Sequence, residues 1–156
     1  MRDSLFVGFA RTGLRHNELQ DIQLPQIDQD KRSVMPNHRS ATKRSFISFY
    51  NREFEAILEP WLAKRCFKHS DKFFSVSGGS KSVLFTIAQK KTGLRITPKS
   101  LRFWFSNEMA RLGVQDRFID AFQGRIPRSV LARHYTDYSQ ENLKKIYDKA
   151  KLKVLN

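Results

Sequence analysis

A single cysteine, Cys66, gives this chain of 156 residues no internal disulfide, and fits a reducing compartment. No apolar run approaches the roughly 20 residues that span a bilayer. The run nearest the start, Leu5 to Ala10, is too short for a secretory signal. A soluble cytoplasmic protein with no membrane partner is expected. Acidic side chains are scarce as well, 15 against 29 basic ones, and they show none of the pairing that metal nucleases and glycosidases need. Cys66 and His69 have metal-like spacing, but no second pair lies nearby to complete a tetrahedral site. Ser77 to Ser82 is no phosphate loop, because glycine is missing both directly before Lys81 and five positions earlier. A nucleophile elbow of the form Gly-x-Ser-x-Gly is also absent.

What the chain does have is apolar mass and positive charge. Apolar residues make up 40 %, with 13 Phe, which is enough for one core. The net charge of +14 on so small a chain makes polyanions the natural partner. A cationic, solubilised surface is the plainer alternative.

Local patterns predict an α+β architecture, predominantly helical. A first helix breaks at Thr12-Gly13, and a second runs from Leu14 to Asp21 and stops before Pro25. Alternation predicts strands at Ser33–Met35 and Arg44–Phe49, with a turn over Pro36–Thr42. A third short strand is expected at Phe73–Val76. Helical spacing marks Glu53–Phe67, kinked at Pro60, and Lys81–Lys91, capped by the loop Ser77–Ser80. Further helices are expected over Lys99–Leu112, Gln115–Phe122 and Pro127–His134. A basic amphipathic one follows, capped by Ser139 and reaching Leu152. The total is seven or eight helices and a two- or three-stranded antiparallel sheet in one domain, 1–156. Phe103-Trp104-Phe105 is expected to be helix core. Thr-Gly-Leu-Arg occurs at Thr12–Arg15 and Thr92–Arg95 without a shared context, so it marks no repeat.

Chemistry concentrates in Gly124–Tyr135, where Arg125, Arg128 and Arg133 precede a tyrosine ten residues beyond Arg125. Phenol is a weak nucleophile because its pKa is about 10. Fixed cations stabilise phenolate, and they also hold a phosphate diester under attack. The pattern points to covalent chemistry on a nucleic-acid backbone. Taken alone, Tyr135 is as readily a packing residue.

Three segments in order resemble the catalytic domain of the tyrosine recombinases, the phage-integrase family. Thr12-Gly13-Leu14-Arg15-His16-Asn17-Glu18-Leu19 is similar to that family's Thr-Gly-Leu-Arg-x-x-Glu-Leu box. Lys99-Ser100-Leu101-Arg102 is similar to its His-x-Leu-Arg box. Gly124–Tyr135 is similar to its Leu-Gly-His box and the tyrosine that follows. The resemblance implies that Arg15, Arg102 and Arg125 bind the scissile phosphate, that Glu18 supports the fold around them, and that Tyr135 is the nucleophile. Tyr138 is the rival nucleophile. The family's hairpin lysine corresponds to Lys43, with Arg39 and Arg44 as alternatives. Lys99 and Arg125 stand where most members have histidine, as in the integrases of archaeal viruses and plasmids. Arginine does not deprotonate in proteins, so Arg125 is no general base and electrostatic activation of Tyr135 is implied. Arg39, Arg44, Lys81, Arg128 and Arg133 are expected to contact DNA, and Trp104 is the one ring of its cluster that is a candidate to touch the leaving strand.

The implied reaction is site-specific strand cleavage and rejoining through a 3′-phosphotyrosyl link, with no metal or cofactor. The implied partners are double-stranded attachment sites and other integrase protomers in a DNA-bound tetramer. Type IB topoisomerase-like religation and an inactive basic DNA-binding module remain the alternatives. Only 14 residues precede Arg15, so a catalytic piece without the family's N-terminal DNA-clamping domain is expected. The tail from Ser139 is either a docking arm or a closing helix of the same subunit.

Overall fold

Helix α1 (Arg2–Thr12) is the central element, with every residue from Val7 to Thr12 buried. A helix apolar on all sides belongs in an interior, which explains the short hydrophobic run near the start of the chain. The computed structural model describes residues 2–36, 39–40, 43–44, 47–63, 72, 74, 78–125, 129–130 and 134–154. Among them are seven α-helices and a three-stranded antiparallel sheet. No helix among them is long and apolar enough to cross a membrane.

After α1 the chain turns at Gly13 into a short helix, α2 (His16–Gln20), and Pro25 lies in a single 3₁₀ turn, Leu24–Gln26. Strands β1 (Ile27–Asp28), β2 (Ser33–Val34) and β5 (Ser48–Phe49) pair in that order, with Ile27 opposite Val34 and Ser33 opposite Phe49. The expected strand Arg44–Phe49 is in fact two pieces. Its start is β4 (Lys43–Arg44), which pairs with β3 (Arg39–Ser40) in a separate ribbon, so the expected turn over Pro36–Thr42 contains a strand. All four residues of β2 and β5 are buried, and the chain between them is too long for one tight turn and pairs with itself instead.

Helix α3 (Arg52–Leu62) starts on Asn51, whose side chain accepts from the Phe54 N–H at 3.3 Å, and it ends two residues past Pro60, short of the expected Phe67. Residues 64–71 lie outside the described set, as do most of the expected strand Phe73–Val76 and most of the expected helix Pro127–His134. Helix α4 (Gly78–Thr92) begins three residues earlier than expected, taking Gly78, Gly79 and Ser80 into its first turn. Helix α5 (Pro98–Arg111) follows, then α6 (Asp116–Phe122) and α7 (Gln140–Ala150).

Both α5 and α6 end in a glycine with positive φ, Gly113 at +83° and Gly124 at +62°. At each, the glycine N–H returns to the carbonyl three residues back and the next N–H to the carbonyl five back: Gly113 to Ala110, Val114 to Met109, Gly124 to Ala121, Arg125 to Asp120. This is the Schellman closure, and it satisfies carbonyls that a helix end would otherwise leave bare.

Of the two readings of the tail, the closing helix is the one observed. Leu143, Tyr147 and Ala150 are buried in the chain's own core, and the Tyr147 ring lies 5.8 Å from Phe49 and 5.7 Å from Phe122. The Tyr147 hydroxyl donates to the Arg11 carbonyl at 2.8 Å. The fully buried Arg11 guanidinium donates to the Leu152 carbonyl and pairs with Glu53. Burial raises the Tyr147 pKa well above that of phenol and lowers that of Arg11.

The core has two clusters. One gathers α1, α3 and Phe85 of α4; the other gathers α5, α6, α7 and Phe49. They meet where α1 packs on α5, and Gly13 lies in that seam against the Phe105 ring. The aromatic run Phe103-Trp104-Phe105 is only partly core: Phe105 is fully buried, Trp104 is half-buried, and Phe103 is 68 % exposed. At about 100° per residue, three consecutive side chains cannot all face inward.

Candidate active site

The seam between the clusters positions two of the predicted arginines. Arg15 follows the Gly13 turn at the end of α1. Its backbone N–H donates to Glu18 Oε2 at 2.7 Å and its Nη1 to Glu18 Oε1 at 2.6 Å. Glu18 is therefore a carboxylate that both caps α2 and orients the guanidinium. Arg102 is on the first turns of α5, whose start is fixed by Pro98 and by Thr97, which exchanges hydrogen bonds with Ser100 at 3.0 and 2.7 Å. Arg102 Nη1 donates to the Gly13 carbonyl at 2.7 Å and Nη2 to the Gln123 carbonyl at 2.6 Å.

The turn after α6 brings in the third. Arg15 donates to the Gly124 carbonyl at 3.2 and 3.3 Å, and Arg125, the next residue, pairs with Asp120 at 3.1 Å. Arg15, Arg102 and Arg125 thus converge on one turn although 87 residues separate the first two in sequence. Glu18 also lies 3.9 Å from Arg102 Nη1. Three guanidinium charges face two carboxylates, Glu18 and Asp120, which leaves the cluster net positive.

Electrostatics record the same convergence. Burial, then the charge of Arg15, and also that of Arg125, lower the Arg102 pKa to about 10, while Glu18 and Asp120 oppose them. Arg102 remains a cation at neutral pH, but an imperfectly compensated one. A bound anion would relieve the repulsion among the three arginines, so the arrangement suits a phosphate.

Lys99 is exposed, one helical turn before Arg102 and on the same side of α5. Lys43 and Arg44 form β4 and Arg39 opens β3, with Arg39 opposite Arg44 and Ser40 opposite Lys43. Their side chains are outside the described set, as is that of Lys81 in α4. Arg128 and Arg133 lie outside the described residues altogether. Tyr135 is 77 % exposed, and His134 beside it is exposed too. The rival Tyr138 is half-buried, its ring edge-on to Phe118 at 6.2 Å. Tyr138 thus packs on Phe118, and Tyr135 is the more exposed of the two phenols.

Two participants were not foreseen from the sequence. Asp120, one turn before the Gly-Arg pair, holds Arg125. Gln123 is fully buried, and its Nε2 donates to the Arg102 carbonyl at 2.9 Å. A Gln in a helix-ending position carries no compositional signal. An Asp five residues before an Arg across a glycine turn could have been read as a pair.

Residues 28–151 match the family model of archaeal phage integrases. Comparison with curated proteins gives no match. Among solved structures, XerA recombinase is similar at a TM-score of 0.68 and 21 % identity, over 98 % of this chain and 57 % of that one. The integrase of mycobacterium phage Brujita gives 0.67 and 15 %, over 96 % of this chain and 51 % of that one. The integrase of transposon Tn1549, in complex with circular intermediate DNA, gives 0.59 and 16 %, over 91 % and 55 %. The chain therefore spans little more than half the length of these neighbours. It shares with them the tyrosine-recombinase catalytic fold.

Proposed function

Because the chain belongs to the archaeal phage integrase family, we propose that it is the catalytic part of a site-specific DNA recombinase that breaks and rejoins strands through a tyrosine. The observation that carries this reading is the convergence of Arg15, Arg102 and Arg125 on the turn Gln123–Arg125, with Arg102 electrostatically coupled to both others. The three guanidinium groups hold the non-bridging oxygens of one phosphate and stabilise the negative charge that builds in the transition state. The Tyr135 oxygen attacks phosphorus as its proton passes to solvent, and the bond from phosphorus to the 5′ oxygen breaks. Lys43, on the β3–β4 ribbon, protonates that leaving oxygen, and Lys99 adds a further cation. The 3′-phosphotyrosyl link conserves the bond energy, so the 5′-hydroxyl of a partner strand reverses the step and completes exchange. Duplex attachment sites and further protomers assembled on DNA are the partners of this reaction.

The test is covalent trapping on a nicked duplex. Wild-type protein should form a DNA adduct that survives denaturation, and Tyr135→Phe should form none while binding the duplex as tightly. An adduct that persists in Tyr135→Phe would reject the nucleophile. No adduct with wild-type protein across nicked substrates would favour a binding module over an enzyme.

A further inference from the structure

We propose that Gln123 is a positioning residue: its buried side-chain amide ties α5 to the turn that anchors all three arginines. The proposal rests on the reading of the site as a phosphate clamp. Three consecutive residues make up that turn. The Gln123 carbonyl accepts from Arg102, the Gly124 carbonyl accepts from Arg15, and Arg125 is itself the third cation. Schellman bonds fix the turn to α6, but they do not fix it against α5, where Arg102 resides. Gln123 Nε2 makes that link by donating to the Arg102 carbonyl at 2.9 Å. Because the acceptor is a carbonyl, the amide end facing it is the NH₂. Arg102 is therefore clasped twice by one residue, at its guanidinium by a main-chain oxygen and at its backbone by a side-chain donor.

The other end of the amide argues against a role in stability alone. Gln123 is fully buried, and among the described residues its Oε1 is a buried acceptor with no hydrogen-bond partner. Such an acceptor is unfavourable to folding, and an apolar side chain of similar volume would avoid it. The similar Leu-Gly-His box has a leucine at this position. An amide that fills a leucine's place and leaves half its polarity unmatched is explained by what its other half holds. If the tie is lost, the turn is still held against α5 by the Arg102 guanidinium and by the packing of Phe122 on Phe105, so the clamp loosens without coming apart.

Gln123→Met and Gln123→Leu remove the amide at nearly constant volume. Three readouts separate positioning from fold. Denaturation midpoints should equal or exceed that of the wild type, because the unmatched acceptor disappears. The Arg102 guanidinium resonances of the free protein should broaden. Affinity for a nicked duplex, selected from random sequence for cleavage by the wild type, should stay within about twofold, while the rate of adduct formation falls about 10- to 100-fold, as expected for misplacement of a catalytic group by a fraction of an ångström to one ångström. Unchanged Arg102 resonances, or a rate within about twofold of wild type, would overturn the proposal. So would failure of both variants to fold, which would assign the amide to stability alone. If the wild-type protein forms no adduct, the recombinase reading fails, and the Arg102 resonances still decide whether Gln123 sets that side chain.

Discussion

At Gly13 the backbone takes a φ of +62°, and a Cβ there would come under 3.0 Å from three atoms of the Phe105 ring. Glycine is therefore required twice, once by the left-handed turn and once by close packing of α1 on α5. The Gly13 carbonyl also receives Arg102, and Arg15 lies two residues on. Gly13→Ala is expected to cost about 1–3 kcal/mol of stability and to lower the rate of adduct formation by more than the unfolded fraction explains. Urea titration together with the trapping assay checks both. At this scale the arginines were legible in the sequence because each stands in a patterned box. Asp120 and Gln123 were not, because their roles arise from a helix ending that brings distant segments together. Tyr138 was the rival at an offset from the Gly-Arg pair less like that of the family, and in the structure it packs on Phe118 while Tyr135 is exposed.

Helix α7 illustrates what patterns along one element do and do not carry. Its amphipathic spacing and its Ser139 cap were readable, the hydroxyl accepting from the Asn142 N–H at 3.4 Å. Where its apolar face docks was not, since an arm and a closing helix need the same stripe. Leu143 is wholly buried in the chain's own second cluster. Leu143→Ala should therefore destabilise the isolated chain by about 2–5 kcal/mol, the range for a truncated core leucine. Denaturation of dilute protein without DNA measures this. A change under about 0.5 kcal/mol, the scale of a surface substitution, would instead favour an arm. The strands were harder to foresee than the helices. With two residues each, they have almost no room to show alternation, and their pairing depends on a ribbon that the sequence does not mark. Gly78 and Gly79 suggested a loop, yet first-turn N–H groups have no intrahelical partner, so glycine disturbs little there.

Over the whole molecule, one fold ties together charges that are remote in sequence. The first cluster carries α1 and the loop to Arg15, and the second carries Arg102 and the turn to Arg125. In the proposed reaction the phosphate lies at their seam. The net charge of +14 indicated a polyanion partner from composition alone, while the placement of three guanidinium groups needed the fold. The most direct measurement is the site of DNA attachment in a trapped adduct of the wild-type protein. Cleavage after Arg133 and Lys144 releases the peptide 134–144, which contains both Tyr135 and Tyr138, so fragmentation within it must locate the nucleotide. The expected result is a 3′-phosphate on the Tyr135 oxygen, lost when Arg102 is replaced by alanine. Attachment at Tyr138 or outside this peptide, or an adduct undiminished in Arg102→Ala, would contradict a clamp of arginines serving Tyr135.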